Sequence, residues 1–228
     1  MPGKALTPLA LAQDAEYVVN GTIYHQRLYA ICPPRPGMSV LEPGAGSGKL
    51  SLAYAMLGAD VTLLDIDPGV LEYEKALARL LSTGRANVLG VERLFPVGHI
   101  TFIEGDLHQM EALFPTERFD LVLSEGVSYH WPRDDPRRQG SIDKMTWVTK
   151  PGGTVVVIGN NAHNSEIAEM HARTDHTYAG MPERAEPFTS DEFRELLRHA
   201  GLAGVTVAPC DTPHYESSRT LIGWGRKP

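Results

Sequence analysis

The sequence predicts an α/β fold with a mostly parallel sheet. Short apolar runs with the composition of β-strands alternate with longer segments of helical periodicity, which is typical of strand-helix-strand units. A glycine-rich stretch at 44–48 joins the first strand to a helix, and an acidic residue ends or follows each of the next two strands. The 228 residues are enough for one such domain with a sizeable core.

The predicted elements alternate along the whole chain. One or two helices occupy residues 5–31, broken near the Asn-Gly pair at 20–21, and the proline-rich stretch 33–37 stops them. A capping-box pattern at Thr189 opens a late helix, which Gly201 stops. Strands are expected near 38–42, 61–65, 100–104, 119–124, 153–159, 203–208 and 219–224, and further helices at 48–57, 68–81 and 138–148.

The stretch 40–48, Val-Leu-Glu-Pro-Gly-Ala-Gly-Ser-Gly, is the most informative part of the sequence. Its glycines allow positive φ and bring bare backbone amides to the mouth of the next helix, where a nucleotide-like ligand can bind. The phosphate-binding P-loop pattern does not fit, because it needs glycine and a hydroxyl where the chain has Pro43 and Leu50. The dinucleotide pattern G-x-G-x-x-G would place its third glycine at Lys49. The spacing G-x-G-x-G therefore indicates a different loop.

Two acids are expected beside this loop. Asp65 ends an apolar strand about twenty residues after the loop, where a carboxylate can bind both hydroxyls of a ribose. Asp106 follows the third predicted strand. Open α/β sheets bind ligands at the carboxyl edge of their strands. The three loops can therefore converge on one crevice.

These motifs resemble those of the class I S-adenosylmethionine-dependent methyltransferases. Residues 42–48 match the glycine motif, 119–124 resemble the fourth strand of the family, and 151–158 resemble its turn and fifth strand. The ordered motifs cover about residues 38–160. The resemblance implies a Rossmann-like class I methyltransferase fold, with a seven-stranded sheet, helices on both faces and a helical cap. It implies S-adenosyl-L-methionine as the cofactor.

The resemblance also assigns cofactor contacts. Asp65 stands where the family has its ribose-binding acid, and Asp106 where it has the acid that meets the adenine amine. Glu42 could orient the loop or the ammonium group of the cofactor, whereas Asp67 precedes Pro68 and is expected to cap the next helix. For Asp65 and Asp106, the alternative is an ordinary polar strand end. The predicted cofactor-binding residues are Glu42, Gly44, Ala45, Gly46, Asp65, Ile66, Asp106, Leu107 and Ser124.

By its resemblance to the family, the segment 124–127, Ser-Glu-Gly-Val, limits the chemical class of the methyl acceptor. Amide and adenine methylases of the superfamily usually carry Asn-Pro-Pro-Tyr or Asp-Pro-Pro-Tyr there, so a small-molecule oxygen, nitrogen or sulfur is favoured, with carbon left open. The sequence has no metal triad like that of the catechol-type enzymes, and we expect no metal. The reaction is an in-line displacement at a sulfonium methyl, in which placement can supply most of the catalysis.

Histidines are the candidate bases for an acceptor that carries a proton. His130 follows the fourth predicted strand, where the family commonly builds its acceptor pocket, and His163 lies in the predicted cap. The alternative is that the aromatic residues near His130 only cover the sheet edge. Candidate substrate-binding residues are Tyr24, His25, Tyr129 and Trp131.

We predict one methyltransferase domain over residues 1–228. Loops as long as 82–98 and 160–187 are uncommon unless they bind, cover a site or stay mobile. We expect 160–187 to cover the acceptor, with a helix over 165–174, although a solvated helical insertion would explain it equally well. The segment 82–98 could instead be an extension of the preceding helix followed by a packing loop. The predicted parts are an N-terminal helical segment (1–36), a cofactor-binding core (37–160), the cap (160–187) and a C-terminal helix with strands (188–228).

The net charge, the cysteines and the apolar runs of the chain limit its expected partners and location. The formal net charge of −7 argues against a protein that neutralises nucleic-acid phosphates. Cys32 and Cys210 lie far apart, and the N-terminus has no long apolar signal core, so we expect reduced thiols and a cytoplasmic location. No apolar run approaches the roughly eighteen residues that span a bilayer. A homodimer is compatible with the sequence.

Two functional alternatives stay open beside a small-molecule methyltransferase. A protein or RNA methyltransferase would show an exposed basic groove at the cofactor mouth. A non-catalytic module would bind S-adenosylmethionine as a sensor, or as the partner of another subunit. Fold alone does not decide among them.

Overall fold

The computed structural model describes residues 7–82, 86–88, 91–93, 98–173 and 185–228. The chain divides into two compact units, one ending at Leu107 and the other beginning at His108. Each unit contributes strands to a seven-stranded, mostly parallel sheet. The predicted α/β class is confirmed, and the single domain over residues 1–228 stays a prediction.

The first unit contains the N-terminal helices and the glycine loop. In its part of the sheet, β1 pairs in parallel with β2, and β2 pairs in parallel with β5, which gives the order β5-β2-β1. The short strands β3 and β4 form a separate antiparallel hairpin within the long predicted connection. The bounds are α1 (Pro8–Asn20), α2 (Ile23–Ile31), α3 (Lys49–Ala55), α4 (Pro68–Ser82), β1 (Ser39–Pro43), β2 (Asp60–Asp65), β3 (Ala86–Val88), β4 (Val91–Arg93) and β5 (Ile100–Glu104).

The ends of α1 and the start of α4 follow local signals in the sequence. The Thr7 hydroxyl accepts a hydrogen bond from the Ala10 amide at 3.2 Å at the start of α1, and Gly21 has φ 69° just past its end. At the start of α4, Asp67 Oδ1 accepts from the Gly69 amide at 2.8 Å. The predicted break after residue 20 and the predicted cap at Asp67 are both confirmed.

The second unit contains the rest of the sheet. β6 pairs in parallel with β7, whereas β9 runs antiparallel between β7 and β8, which gives the order β6-β7-β9-β8. The bounds are α5 (Met110–Leu113), α6 (Pro136–Val148), α7 (Ser165–Arg173), α8 (Ser190–His199), β6 (Phe119–Glu125), β7 (Thr149–Asn160), β8 (Ala203–Pro209) and β9 (Thr220–Arg226), with short 3-10 helices at Leu107–Gln109 and Ser128–His130.

Two predicted helices of the second unit are present with their caps. At the start of α8, the Thr189 hydroxyl accepts from the Glu192 amide at 3.3 Å. At the start of α7, Asn164 Oδ1 accepts from the Ile167 amide at 3.1 Å. The helix expected in the cap is thus confirmed. Residues 174–184 of the predicted cap, and 83–85, 89–90 and 94–97 of the other long segment, lie outside the described residues.

The core follows the pattern expected for strands covered on both faces. Val155, Val156 and Val157 in β7 are all fully buried, so this strand shows a continuous apolar run instead of alternation. Gly159 ends that run beside Phe188. A Cβ added at Gly159 would lie 2.5 Å from the Phe188 ring, so only glycine fits there. This contact brings the segment after the cap close to the carboxyl end of β7.

Candidate cofactor and acceptor site

The glycine loop turns sharply from β1 into α3. Gly44, Gly46 and Gly48 have φ of 64°, 60° and 64°, a backbone region that other L-residues rarely adopt. The Gly44 and Ala45 amides donate to the Leu64 carbonyl of β2 at 2.7 and 3.2 Å, which holds the loop against that strand. A Cβ built on Gly46 meets no heavy atom within 4 Å. The loop therefore presents an open side at Gly46.

Asp65 lies at the carboxyl end of β2 and contacts the glycine loop directly. Its Oδ2 accepts from the Gly46 amide at 3.0 Å, and its Oδ1 accepts from the Asp67 amide at 3.0 Å. A carboxylate has about four acceptor sites, so these two bonds leave capacity for further donors. The next residue, Ile66, has an apolar side chain that is 59% exposed. The end of β2 thus offers an anchored carboxylate beside an exposed apolar surface.

Glu42 connects the end of β1 to the first turns of α3. Its side chain is buried, and Oε2 accepts from the Ser51 amide at 3.1 Å and from the Ser51 hydroxyl. The structure therefore ties Glu42 to α3, the helix that directly follows the loop. Its predicted roles in orienting the loop and in contacting the ammonium group of the cofactor stay predictions.

Asp106 and Leu107 follow β5 beside the end of β2. The Gly105 amide donates to the Asp65 carbonyl at 3.0 Å, which brings the turn before Asp106 to the neighbouring strand. Leu107 is buried and begins a 3-10 helix, whereas Asp106 is half-buried. The convergence of the loops after β1, β2 and β5 is thus present within the first unit.

The N-terminal helix α1 is held at the start of α3 by a buried acid that the sequence analysis missed. Asp14 accepts a hydrogen bond from the Tyr73 hydroxyl at 2.7 Å, and it lies 3.5 Å from the Lys49 ammonium. Lys49 Nζ also lies 4.5 Å from the centre of the Tyr17 ring. α1 also contains Glu16, so the sequence alone does not show which of its two acids is buried. Lys49 directly follows the loop, so this network fixes its far end.

His25 joins α2 to the same turn of α3. Its Nδ1 accepts from the Thr22 amide at 3.0 Å, and its Nε2 lies 3.3 Å from the Lys49 carbonyl, so the neutral ring with hydrogen on Nε2 satisfies both contacts. Burial lowers the pKa of His25, the hydrogen bond to the Lys49 carbonyl opposes this, and the Lys49 ammonium adds to the lowering. Both His25 and half-buried Tyr24 stay predictions as substrate contacts.

In the second unit, the predicted acceptor residues follow β6. Ser124 is buried in β6, and the chain then enters a short 3-10 helix that holds Tyr129 and His130. The rings of Tyr129 and His130 are half-buried, with centroids 4.7 Å apart. Trp131 is 4% exposed. Tyr129 and His130 thus pack together after the carboxyl end of β6, while the Trp131 ring packs edge-on against His108 with centroids 4.8 Å apart.

His163 has different surroundings from the pair of Tyr129 and His130. Its side chain is exposed, its Nε2 lies 3.4 Å from the Ser190 amide, and its ring lies 6.0 Å from the Tyr215 ring. Both histidines remain candidate bases. The described contacts place His163 beside α8 and the loop before β9, while His130 lies beside Tyr129.

His171 in α7 is a buried residue of the cap that the sequence analysis did not select. Its Nδ1 lies 3.1 Å from the Ala185 carbonyl and its Nε2 lies 2.8 Å from the Asn160 side-chain nitrogen. A neutral ring with hydrogen on Nδ1 satisfies both neighbours. The His171 ring also packs edge-on against Tyr129 at 5.7 Å. Through this contact, α7 helps to fix the orientation of Tyr129.

Arg138 in α6 is fully buried and holds the segment that follows the cap. Its Nη1 donates to the carbonyls of Trp131 and Glu186 at 2.7 and 2.8 Å. Its Nη2 lies 2.7 Å from Glu192, and its guanidinium carbon lies 4.3 Å from the centre of the Phe188 ring. Desolvation lowers the pKa of Arg138, and the Glu192 carboxylate opposes that effect.

The described residues contain neither a cluster of metal ligands nor a helix suited to a membrane. Within residues 7–82, 86–88, 91–93, 98–173 and 185–228, no group of three or more His, Cys, Asp or Glu side chains could hold a metal ion. In the same part of the chain, every helix is too short or too polar to cross a bilayer.

Comparison with known proteins assigns the family. The profile of the methyltransferase domain matches residues 41–157, which include the glycine loop, Asp65 and the strands up to β7. The chain belongs to the class I S-adenosylmethionine-dependent methyltransferases. The resemblance found in the sequence motifs is therefore confirmed.

Curated relatives match part of this methyltransferase. An uncharacterized protein of Mycobacterium tuberculosis is 31% identical over 124 residues, which cover 54% of this chain and 37% of that protein. The ubiquinone/menaquinone biosynthesis C-methyltransferase UbiE of Shewanella sediminis is 27% identical over 131 residues, which cover 54% of this chain and 43% of that enzyme. The matches span less than half the length of either relative.

Solved structures share the fold of this methyltransferase over nearly its whole length. A chain from the complex of the Haloferax volcanii Trm112 methyltransferase activator with a methyltransferase has a TM-score of 0.64 at 20% identity, with 96% of each chain covered. Magnesium protoporphyrin IX methyltransferase from Synechocystis PCC 6803, with bound S-adenosylhomocysteine, has a TM-score of 0.61 at 19% identity, with 95% of this chain and 86% of that chain covered. At these identities the likeness shows the fold alone.

Proposed function

We propose that this methyltransferase uses S-adenosylmethionine to methylate an oxygen, nitrogen or sulfur of a small molecule. The observation that carries the proposal is the Asp65 carboxylate, which accepts from the Gly46 amide at 3.0 Å within a loop of positive-φ glycines. When bound, the cofactor supplies a methyl group on a positively charged sulfur. The residues of the chain then have to hold and align the two reactants.

The first unit fits such a cofactor. The open side at Gly46 lets a ligand lie against the backbone, and the remaining acceptor sites of Asp65 suit two ribose hydroxyls. The exposed side chain of Ile66 offers a planar base an apolar surface. We assign to cofactor binding Glu42, Gly44, Ala45, Gly46, Asp65, Ile66, Asp106, Leu107 and Ser124.

Alignment is the main contribution that we assign to the aromatic residues after β6. Holding two reactants in attack geometry lowers a barrier by about 7 kcal/mol or more, so transfer to an unprotonated acceptor needs no dedicated base. For an acceptor with a hydroxyl or ammonium, we assign proton removal to His130, beside Tyr129. We keep His163 as the second candidate base, and Tyr24, His25, Tyr129 and Trp131 as candidate acceptor contacts.

Several observations support a small acceptor over a macromolecule. The formal net charge of −7 disfavours an RNA substrate. The segment 185–188 returns from the cap to Arg138 and to the carboxyl end of β7, which is where a cover over a small acceptor would be anchored. A cover of this kind excludes water and suits a small substrate. A protein or RNA substrate and a non-catalytic module are the alternatives that the acceptor screen tests.

Carbon is a second candidate for the methylated atom. The relative from Shewanella sediminis, 27% identical over 131 residues, is named as a C-methyltransferase. We therefore include electron-rich aromatic acceptors, such as hydroxylated quinone precursors, in the acceptor screen.

Calorimetric titration with S-adenosylmethionine and S-adenosylhomocysteine tests the cofactor assignment, with NAD and ATP as controls. We expect micromolar binding of the two sulfur compounds and none of NAD or ATP. Binding of NAD or ATP alone would contradict the proposal. A screen of small acceptors, unmodified RNA and protein extract with radiolabelled cofactor then tests the acceptor class. Turnover confined to macromolecules would replace the small-molecule assignment, and binding without turnover would favour the non-catalytic module.

A further inference from the structure

Glu74 is a buried acid in α4 that the proposed mechanism does not use. Its side chain is 0% exposed, and neither carboxyl oxygen has a hydrogen-bond partner in the described part of the chain. A buried charge without a donor carries a large desolvation cost, because no group replaces the water that it loses. The surroundings of Glu74 therefore favour a neutral acid over an anion.

The two acids that hold the glycine loop act on Glu74. Burial raises the pKa of Glu74 to about 9, with smaller contributions from the carboxylates of Glu42 and Asp65, and the Lys75 ammonium opposes them. Glu42 lies in β1 and Asp65 ends β2, so both belong to the sheet of the first unit. A buried carboxyl group that is repelled by other carboxylates favours its neutral form. Glu74 therefore keeps its proton there.

Among the residues that the structure describes, the other elements packed against α4 supply no donor to Glu74. α4 also packs against α1 and β5. From α1, Asp14 accepts from the Tyr73 hydroxyl and lies 3.5 Å from the Lys49 ammonium. In β5, the ionisable side chain is Glu104, which is exposed at the end of the strand. Asp14 thus has a donor and a cation of its own, while Glu74 depends on its proton.

We propose that Glu74 is a positioning residue for the cofactor loop. As a neutral acid it leaves Glu42 and Asp65 free to hold the loop, and as an anion it pushes them away from the loop. The inference rests on the proposed function, because the loop and Asp65 are the groups assigned to the cofactor. Asp65 accepts from the Gly46 amide of the loop, and Glu42 accepts from the Ser51 amide of α3, at 3.0 and 3.1 Å. A displacement of Asp65 therefore moves the loop, and a displacement of Glu42 moves the helix that directly follows it.

The proposal couples cofactor binding to the proton on Glu74. The protonated form holds the loop in its binding geometry, so affinity is retained at neutral pH and falls as pH rises through about 9, the pKa of Glu74. Near that pH, binding must take up a proton. The pKa of Glu74 is also above the ordinary 4.5 of the unfolded chain. Its contribution to stability is therefore fully present below pH 4.5 and is lost as pH rises toward about 9.

Two matched variants of α4 separate this role from a general effect of charge. Glu74→Gln keeps the shape of the neutral acid and cannot ionise. Glu72→Gln removes an exposed acid from the same helix, where Glu72 accepts from Lys75 at 2.7 Å. The readout is calorimetric titration with S-adenosylhomocysteine from pH 7 to 10, in buffers of different ionisation enthalpy. The amine of the ligand titrates equally against every variant, so the difference between variants is the measured quantity.

We expect wild type and Glu72→Gln to lose about tenfold more affinity than Glu74→Gln between pH 7 and pH 10, since one pH unit beyond the pKa corresponds to a factor of ten. Near pH 9, wild type should also take up a fraction of a proton that Glu74→Gln does not. Equal pH profiles for wild type and Glu74→Gln would overturn the inference. Absence of binding by wild type at pH 7 would overturn the proposed function, and the inference with it.

A second variant covers the case in which Glu74→Gln does not fold. Glu74→Met has a similar volume and no polar atom, so it avoids an unpaired amide in the core. Denaturant unfolding of the unliganded protein is followed from pH 5 to pH 9. The stability of wild type relative to Glu74→Met should decline over this range. Parallel pH profiles for the two proteins would overturn the inference without any ligand.

Discussion

The glycine loop of the first unit and the Arg138 cluster of the second are built in opposite ways. The loop is held by acids that accept from backbone amides, as Asp65 does from Gly46 over 19 residues of sequence. The cluster is held by one buried cation that donates to backbone carbonyls, as Arg138 does to Glu186 over 48 residues. Short sequence motifs specify backbone turns, whereas the burial of a cation depends on residues that are distant in the sequence and pack around it. The glycine loop could therefore be predicted from the sequence, and the Arg138 cluster could not.

The largest effect on stability should come from removing the buried cation. Arg138→Ala leaves the carbonyls of Trp131 and Glu186 without their donor and Glu192 without its buried partner. We expect a loss of about 3 to 5 kcal/mol in the free energy of unfolding, measured with urea. The control is Arg137→Ala in the same helix, because that side chain is 45% exposed in its pair with Asp135.

For Arg137→Ala we expect a change within about 1 kcal/mol, as for other exposed ion pairs. Similar losses for the two arginine variants would contradict the distinction between buried and exposed cations. Wild-type stability in Arg138→Ala would show that the cluster does not hold the segment after the cap.

The largest effect on ligand binding should come from the first unit. Asp65→Ala removes the acceptor proposed for the ribose hydroxyls and the bond to the Gly46 amide. Two hydrogen bonds to a charged group correspond to about 3 kcal/mol or more, so we expect a loss of at least about 100-fold in S-adenosylhomocysteine affinity by calorimetry. Asp60→Ala, at the other end of β2, is the control. Asp60 accepts from the His99 amide at 3.1 Å.

Asp60→Ala should keep wild-type affinity within about twofold. If Asp65→Ala binds as tightly as Asp60→Ala, the cofactor assignment at β2 is wrong. Near-native circular dichroism of both variants shows whether the comparison concerns binding and not folding.

A smaller effect should appear as a pH dependence of stability near neutrality. The pKa of His25 is lower in the folded protein than in the unfolded chain, because the ring is buried. The folded state then binds fewer protons, so the stabilisation from the neutral ring is present above the unfolded pKa of about 6.5 and is lost as pH falls through the folded pKa. Urea unfolding of wild type and His25→Gln between pH 7.5 and pH 5 measures this difference.

We expect the stability of wild type relative to His25→Gln to fall over that range. If the free energies of unfolding of wild type and His25→Gln change in parallel with pH, the pKa of His25 is the same in the folded and unfolded states. His163→Gln provides the matched control in the second unit, because the exposed His163 side chain should leave the wild-type profile unchanged.

The sequence predicted the elements whose signals are local. The caps at Asp67 and Thr189 and the break after Asn20 are each set by a few neighbouring residues, and the structure confirms them. The three-residue strands β3 and β4 were missed, since segments so short carry little periodicity. The last two strands, β8 and β9, were expected, but their antiparallel pairing depends on contacts across the sheet.

The sequence did not predict which polar side chains of the site are buried. Arg137 and Arg138 are adjacent and chemically identical, yet one side chain is 45% exposed and the other 1%. Glu72 and Glu74 differ in the same way within α4. In both pairs, tertiary packing decides which residue is enclosed. Glu42 and Asp65 could be selected as candidates because one lies within the glycine motif and the other ends a predicted strand, and both positions are visible in the sequence.

The buried guanidinium of Arg138 has a consequence for biosynthesis. A ribosome adds roughly 5 to 20 residues per second. The carbonyl of Glu186 lies 48 residues downstream of Arg138, so it is made about 2 to 10 s later. During that interval α6 cannot bury Arg138 against its native acceptors, and the side chain has to stay hydrated. The final packing of α6 is therefore a late event in synthesis.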